Sequence, residues 1–189
     1  MTTASKPPGM LTFLAHRWPT ALALVLSVSS FFEQVTDQTV RSLAQAMLLL
    51  PLIYVVIAAL RRRGWTWPFL VVALVGYVPL RMQHTVDPAV VLLAVSLAAA
   101  IWGTAHGQHR ERDFQVQLAG MVAFGALAIG GLVVDPDLAR YLVAAGWIGH
   151  GVWDWWHLLK DRVVARTFAE WCSVVDLVIG LSLIVVPLL

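Results

Sequence analysis

The residues best suited to chemistry stand in one short stretch, GWIGHGVWDWWHLLKD, from Gly146 to Asp161. His150, Asp154 and His157 are spaced i, i+4 and i+7. On an α-helix they fall in a single stripe about 60° wide, which Asp161 continues. Imidazole and carboxylate together are ligands for a divalent transition metal, Zn or Fe before Mn or Cu(II). The same groups also serve as general acids and bases. A second stretch, EWCSVVDLVIG, begins at Glu170 and puts Cys172 and Asp176 on one helical face at i, i+4. A third, HGQHRERD, offers His106 and His109 at i, i+3. The metal-ligand set expected from these spacings is His150, Asp154, His157 and Asp176, with Asp154 and Asp176 as the catalytic acids. His106, His109 and Cys172 are additional candidates, and Trp147 and Trp153 flank the stripe as walls.

The segments that must position these groups are those of a membrane protein. The 189 residues are 59% hydrophobic and 13% charged, and the mean hydropathy is +0.77. That charged share is about half of what soluble domains carry. A formal net charge of +2, scattered along the chain, gives no nucleic-acid footprint. The single cysteine excludes an internal disulfide, and no CxxC zinc pattern occurs.

Apolar runs broken by short polar links predict an all-α bundle of seven transmembrane helices in a single domain. They are expected near 19–35, 40–60, 66–82, 88–105, 114–134, 138–159 and 170–189, each long enough for a hydrocarbon core of about 30 Å. Residues 1–18 read as a flexible or interfacial lead-in, followed by a retained first helix rather than a cleaved signal. The short links make neighbouring helices antiparallel. With a cytoplasmic N-terminus, ten of the thirteen Lys and Arg residues fall inside, and only Arg41, Arg81 and Arg140 fall outside. The expected location is a plasma (inner) membrane, with the C-terminus on the outer side.

An unpaired Asp at the centre of a spanning helix costs about 2.5–3.5 kcal/mol on insertion scales, so the His/Asp stripe should face the bundle interior. Two purposes compete for it. His150 and His157 could simply hydrogen-bond Asp154 and Asp176 and hold the last two helices together. Alternatively the stripe is a site, the default reading for ionisable groups inside a membrane. On the other side of the membrane, Glu33 and Asp37 at i, i+4 form a smaller acidic cluster. Arg41, Arg81, His84 and Asp87 lie near it. These read chiefly as interfacial ion pairs and caps.

Eight of these positions also match a pattern. Gly146, Trp147, His150, Trp153, Asp154 and His157, followed by Cys172 and Asp176, spell G-W-x-x-H-x-x-W-D-x-x-H and then C-x-x-x-D. This resembles an uncharacterised family of small bacterial multi-pass membrane proteins, a domain of unknown function. The likeness covers about the last 45 residues. The family's second consecutive histidine is Leu158 here, so nothing that needs paired histidines carries over. The resemblance implies that the eight residues act as one unit, and it implies no activity.

Several functions are set aside by residues that are not there. The only lysines, Lys6 and Lys160, lie on flanks, which excludes a retinal Schiff base. GxSxG, HExxH and P-loop patterns are absent. The expected function is that of a metal-dependent intramembrane enzyme acting on a lipophilic small molecule from the cytoplasmic half of the bundle, with membrane lipid as its surroundings. The alternatives are metal-free acid–base isomerisation or cyclisation of an isoprenoid-like substrate, and non-enzymatic binding or transport of a metal, proton or solute.

Overall fold

The computed structural model describes residues 17–83 and 85–189, so the lead-in before Arg17, and His84, lie outside the described residues. Among these residues there are helices and no strands. Helix α1 covers Trp18–Ser27 and continues as a 3-10 turn over Val28–Phe31. Helix α2 covers Asp37–Leu60 in two segments, Asp37–Met47 and Leu49–Leu60. Then come α3 (Thr66–Met82), α4 (Pro88–Ala105), α5 (Arg112–Val133), α6 (Pro136–Lys160) and α7 (Arg166–Val185).

Local chemistry accounts for most of these boundaries. The two Val-Asp-Pro sequences open helices in the same way. Asp87 accepts from the amide of Ala89 and Asp135 from that of Leu138, while Pro88 and Pro136 occupy the first turn, where no amide is needed. Thr36 and Thr39 cap the start of α2 reciprocally. The break in α2 falls at Leu48, three residues before Pro51. Proline cannot donate to the carbonyl of Met47 and its ring crowds it.

Of the seven helices among the described residues, five, α2, α3, α4, α5 and α7, are long and apolar enough to cross a membrane. Helix α1 with its 3-10 turn is shorter than such a span. The 25 residues of α6 extend about 38 Å, so length is no obstacle. What distinguishes α6 is its polar stripe. The buried positions of α6 include Ala139, Val143, Trp147, His150, Asp154 and His157/Leu158, the repeat expected of a core-facing face. The chemistry-bearing residues thus occupy the buried stripe itself, and Trp155 and Trp156 point outwards.

Helices α6 and α7 form the most intimate pair, and two glycines let them approach. A β-carbon on Gly151 would stand 2.9 Å from Leu177 Cγ and 3.1 Å from the Ser173 carbonyl oxygen. One on Gly180 would stand 2.6 Å from Ile148 Cγ1 and 3.1 Å from the Ala144 carbonyl oxygen. The other face of α6 packs antiparallel on α5. There the indole of Trp153 fills the place that a side chain at Gly120 would take, at 2.9 Å.

Three links meet at one end of the bundle. Arg61 pairs with Glu111 at 2.6 Å, Arg63 with Asp161, and Arg162 with Asp113 at 3.6 Å. At the opposite end Arg81 donates to Ser42 at 2.8 Å and Gln45 to Asp87 at 3.1 Å.

Candidate metal centre

His150 is the hub. Its Nδ1 lies 3.1 Å from Oδ2 of Asp154, one turn along α6, and 2.8 Å from Oδ2 of Asp176 on α7. His150, Asp154 and Asp176 are all fully buried. Cys172, also buried, places Sγ 3.9 Å from both oxygens of Asp176. One ligand atom from each of His150, Asp154, Cys172 and Asp176 falls within 4.8 Å of every other, so the group could hold a metal ion. Tetrahedral zinc with bonds of about 2.0–2.3 Å needs donors roughly 3.3–3.8 Å apart, so binding would close the widest separation by about 1 Å and open the two His150–carboxylate contacts slightly.

The register behind this convergence differs from the one expected. With α7 opening at position 170, Asp176 would sit level with Asp154. In fact α7 opens a turn earlier, at Arg166, and α6 ends at Lys160. Asp176 is then level with His150, and Asp154 lies one turn closer to the connecting link. That link makes its tight reversal with Asp161 and Val163 at φ 49° and 68°, in the left-handed region.

His157 does not join the cluster. Its Nδ1–H donates to the Trp153 carbonyl at 2.9 Å, and its Nε2 accepts from the Gln117 amide at 3.1 Å. Both ring nitrogens are thus used by protein groups. His106 and His109 stand apart as well. They are exposed, and their Nδ1 atoms bond the carbonyls of Trp102 at 2.7 Å and Thr104 at 3.0 Å. Of the two tryptophans, Trp147 packs in the core and donates to the Leu43 carbonyl at 3.2 Å. Trp153 packs on His157 with ring centroids 5.1 Å apart. Glu33 and Asp37 do not share a helical face. The chain leaves the helix between them, Glu33 is exposed in the link, and Asp37 opens α2.

Three residues of this region were not anticipated. Tyr54, in the apolar middle of α2, donates its hydroxyl to Asp154 Oδ1 at 2.5 Å. Gln117 holds His157 from α5. Phe124 covers His150, with ring centroids 4.8 Å apart. The protein offers His150 Nε2 no hydrogen-bond partner among the described residues.

Compared with known protein families, curated proteins and solved structures, the chain matches none.

Proposed function

We propose that this chain is a seven-span protein of a bacterial inner membrane, with a cytoplasmic N-terminus. Its buried His150–Asp154–Asp176–Cys172 centre holds a divalent transition metal and acts on a lipophilic substrate. The observation that carries this reading is two carboxylates from different helices converging on one imidazole nitrogen, at 3.1 and 2.8 Å, in a fully buried position. Two bare carboxylates in low dielectric repel, so a proton or cation must compensate them. Nitrogen, oxygen and sulfur donors on two rigid helices suit Zn or Fe. Bound there, such a metal would act as a Lewis acid on a substrate oxygen.

A lipophilic substrate is supported by an apolar groove of about 380 Å³ between α2, α4 and α5. It is lined by Leu48, Pro51, Leu93, Leu97, Met121 and Gly125, and no atom of another helix among the described residues lies within 4 Å of where a β-carbon on Gly125 would stand. Phe124, the neighbouring residue on α5, packs on His150.

Elemental analysis of protein purified without chelator or metal-affinity resin tests this reading. About one transition metal per chain is expected in the wild type and much less in His150→Ala. Wild-type protein that stays far below one metal per chain after metal add-back would exclude it.

One observation favours a metal-free acid–base centre instead. The Tyr54–Asp154 bond at 2.5 Å and the two His150 contacts are hydrogen-bond distances, so protons alone could close the network. In that case the acids would protonate an isoprenoid-like substrate, and the same metal analysis separates the two readings.

A further inference from the structure

Tyr54 stands in the most apolar segment of the chain, LLPLIYVVIAAL, and is 1% exposed. Nothing local explains a phenol there, where phenylalanine would pack as well without a hydroxyl to satisfy. The hydroxyl instead crosses from α2 to α6 and donates to Asp154 Oδ1 at 2.5 Å. The ring is enclosed, with centroids 4.7 Å from His157, 5.6 Å from His150 and 6.3 Å from Phe168. Its direction is therefore set by α6 and α7 together. The carboxylate it holds has its other oxygen, Oδ2, turned to His150 on the side where Asp176 stands.

We propose that Tyr54 is the positioning residue of the metal centre, holding one oxygen of Asp154 so that this carboxylate can ligate only through the other. The inference rests on the metal reading above and extends it to selectivity. Ca²⁺ takes six to eight oxygens and often both oxygens of one carboxylate, and Mg²⁺ demands near-ideal octahedral oxygen geometry. A single-oxygen Asp154 beside His150 and Cys172 offers neither. It suits the small mixed shell of a transition metal. Such outer partners, when removed, cost about ten- to a hundred-fold in metal affinity.

The test is Co²⁺ titration of the purified full chain in detergent, wild type against Tyr54→Phe, which keeps the ring and removes the hydroxyl. The expected result is an affinity about ten- to a hundred-fold weaker, with displaced visible Co²⁺ bands, because the freed Oδ1 changes the ligand field. Tyr77→Phe removes another buried hydroxyl, on α3 beside Arg81 and outside the centre, and should leave both affinity and bands unchanged. Equal affinity and identical bands in wild type and Tyr54→Phe would overturn the role of Tyr54 and leave the metal reading standing. A wild type that neither binds Co²⁺ nor shows bands would overturn both.

Should Tyr54→Phe fail to fold, the native sequence labelled with 3-fluorotyrosine answers instead. The chain has three tyrosines, and Tyr77→Phe and Tyr141→Phe assign their ¹⁹F signals. Co²⁺ must shift or broaden the Tyr54 signal, and a Tyr54 signal unmoved at full Co²⁺ loading would overturn the proposal.

Discussion

Asp176 lies level with His150 across the α6–α7 interface and accepts from its Nδ1 at 2.8 Å. His150 is ten residues before Lys160 and Asp176 ten residues after Arg166, so each is about 15 Å from the shared link. Asp154 reaches the same nitrogen from one turn away, at 3.1 Å. The two acids are thus coupled through a single imidazole.

That coupling predicts non-additive substitutions. Asp154→Asn and Asp176→Asn each remove one of two competing charges, and the double variant should lose little beyond the worse single one. The interaction term in a double-mutant cycle of unfolding in micelles should be about 0.5–3 kcal/mol. Additive losses would mean that the acids serve separate local roles.

The exposed histidines should be dispensable for metal retention. His106 and His109 bond carbonyls of their own segment, whereas His150 contacts both acids. In His106→Ala/His109→Ala protein the metal-to-chain ratio should equal that of the wild type, and in His150→Ala it should collapse. A loss on removing the loop histidines would draw them into the centre.

Much of this arrangement is legible in residue order, and the parts that are not have physical reasons. The i, i+4, i+7 spacing of His150, Asp154 and His157 is enough to place all three on the buried stripe of α6, because a helix of 3.6 residues per turn leaves no other option. The start of α7 is harder to read. No side chain caps it, the residue before it is Ala165, and the preceding KDRVV is polar like a loop. The missing turn moved Asp176 from the level of Asp154 to that of His150. The fate of His157 depends on Gln117, forty positions away on α5, which no local spacing announces. Tyr54 hides in an apolar run where an aromatic ring reads as packing. Its hydroxyl, the one polar group of LLPLIYVVIAAL, is the only signal that could have marked it. The first helix is shorter than expected because Thr36 and Thr39 begin a new helix at Asp37, a capping pattern visible in the sequence that separates Glu33 from Asp37.

Orientation can be tested at the end where the three ion pairs gather. Those pairs join the links around Arg61–Arg63, Glu111–Asp113 and Asp161–Arg162, which also hold most of the basic residues. Reporter fusions at positions 63, 110 and 164 should all report cytoplasm. Any one of them reporting the opposite side would overturn the proposed seven-span topology.

The approach of α6 to α7 should depend on two glycines and tolerate change at a third. At Gly151 a methyl group would press on Leu177 Cγ at 2.9 Å and on the Ser173 carbonyl oxygen at 3.1 Å. At Gly180 it would meet Ile148 Cγ1 at 2.6 Å and backbone atoms at 3.0 and 3.1 Å. Both positions meet backbone of the neighbouring helix, which moves only if the whole helix does, and Gly180 meets two such atoms and the closer side-chain carbon. Gly180→Ala should therefore push the helices apart and cost about 1–3 kcal/mol, the range for overpacking, with Gly151→Ala at the lower end. Separation also lengthens the 2.8 Å contact between His150 and Asp176, so metal retention should fall with stability. Gly149, on the same helix, is the control. A methyl group there meets Phe124 at 3.5 Å, an ordinary contact, so Gly149→Ala should leave unfolding and metal content near wild type. Thermal unfolding in micelles with parallel elemental analysis reads both effects. Equal behaviour of Gly149→Ala and Gly180→Ala would show that close approach of the two helices does not set the geometry of the centre.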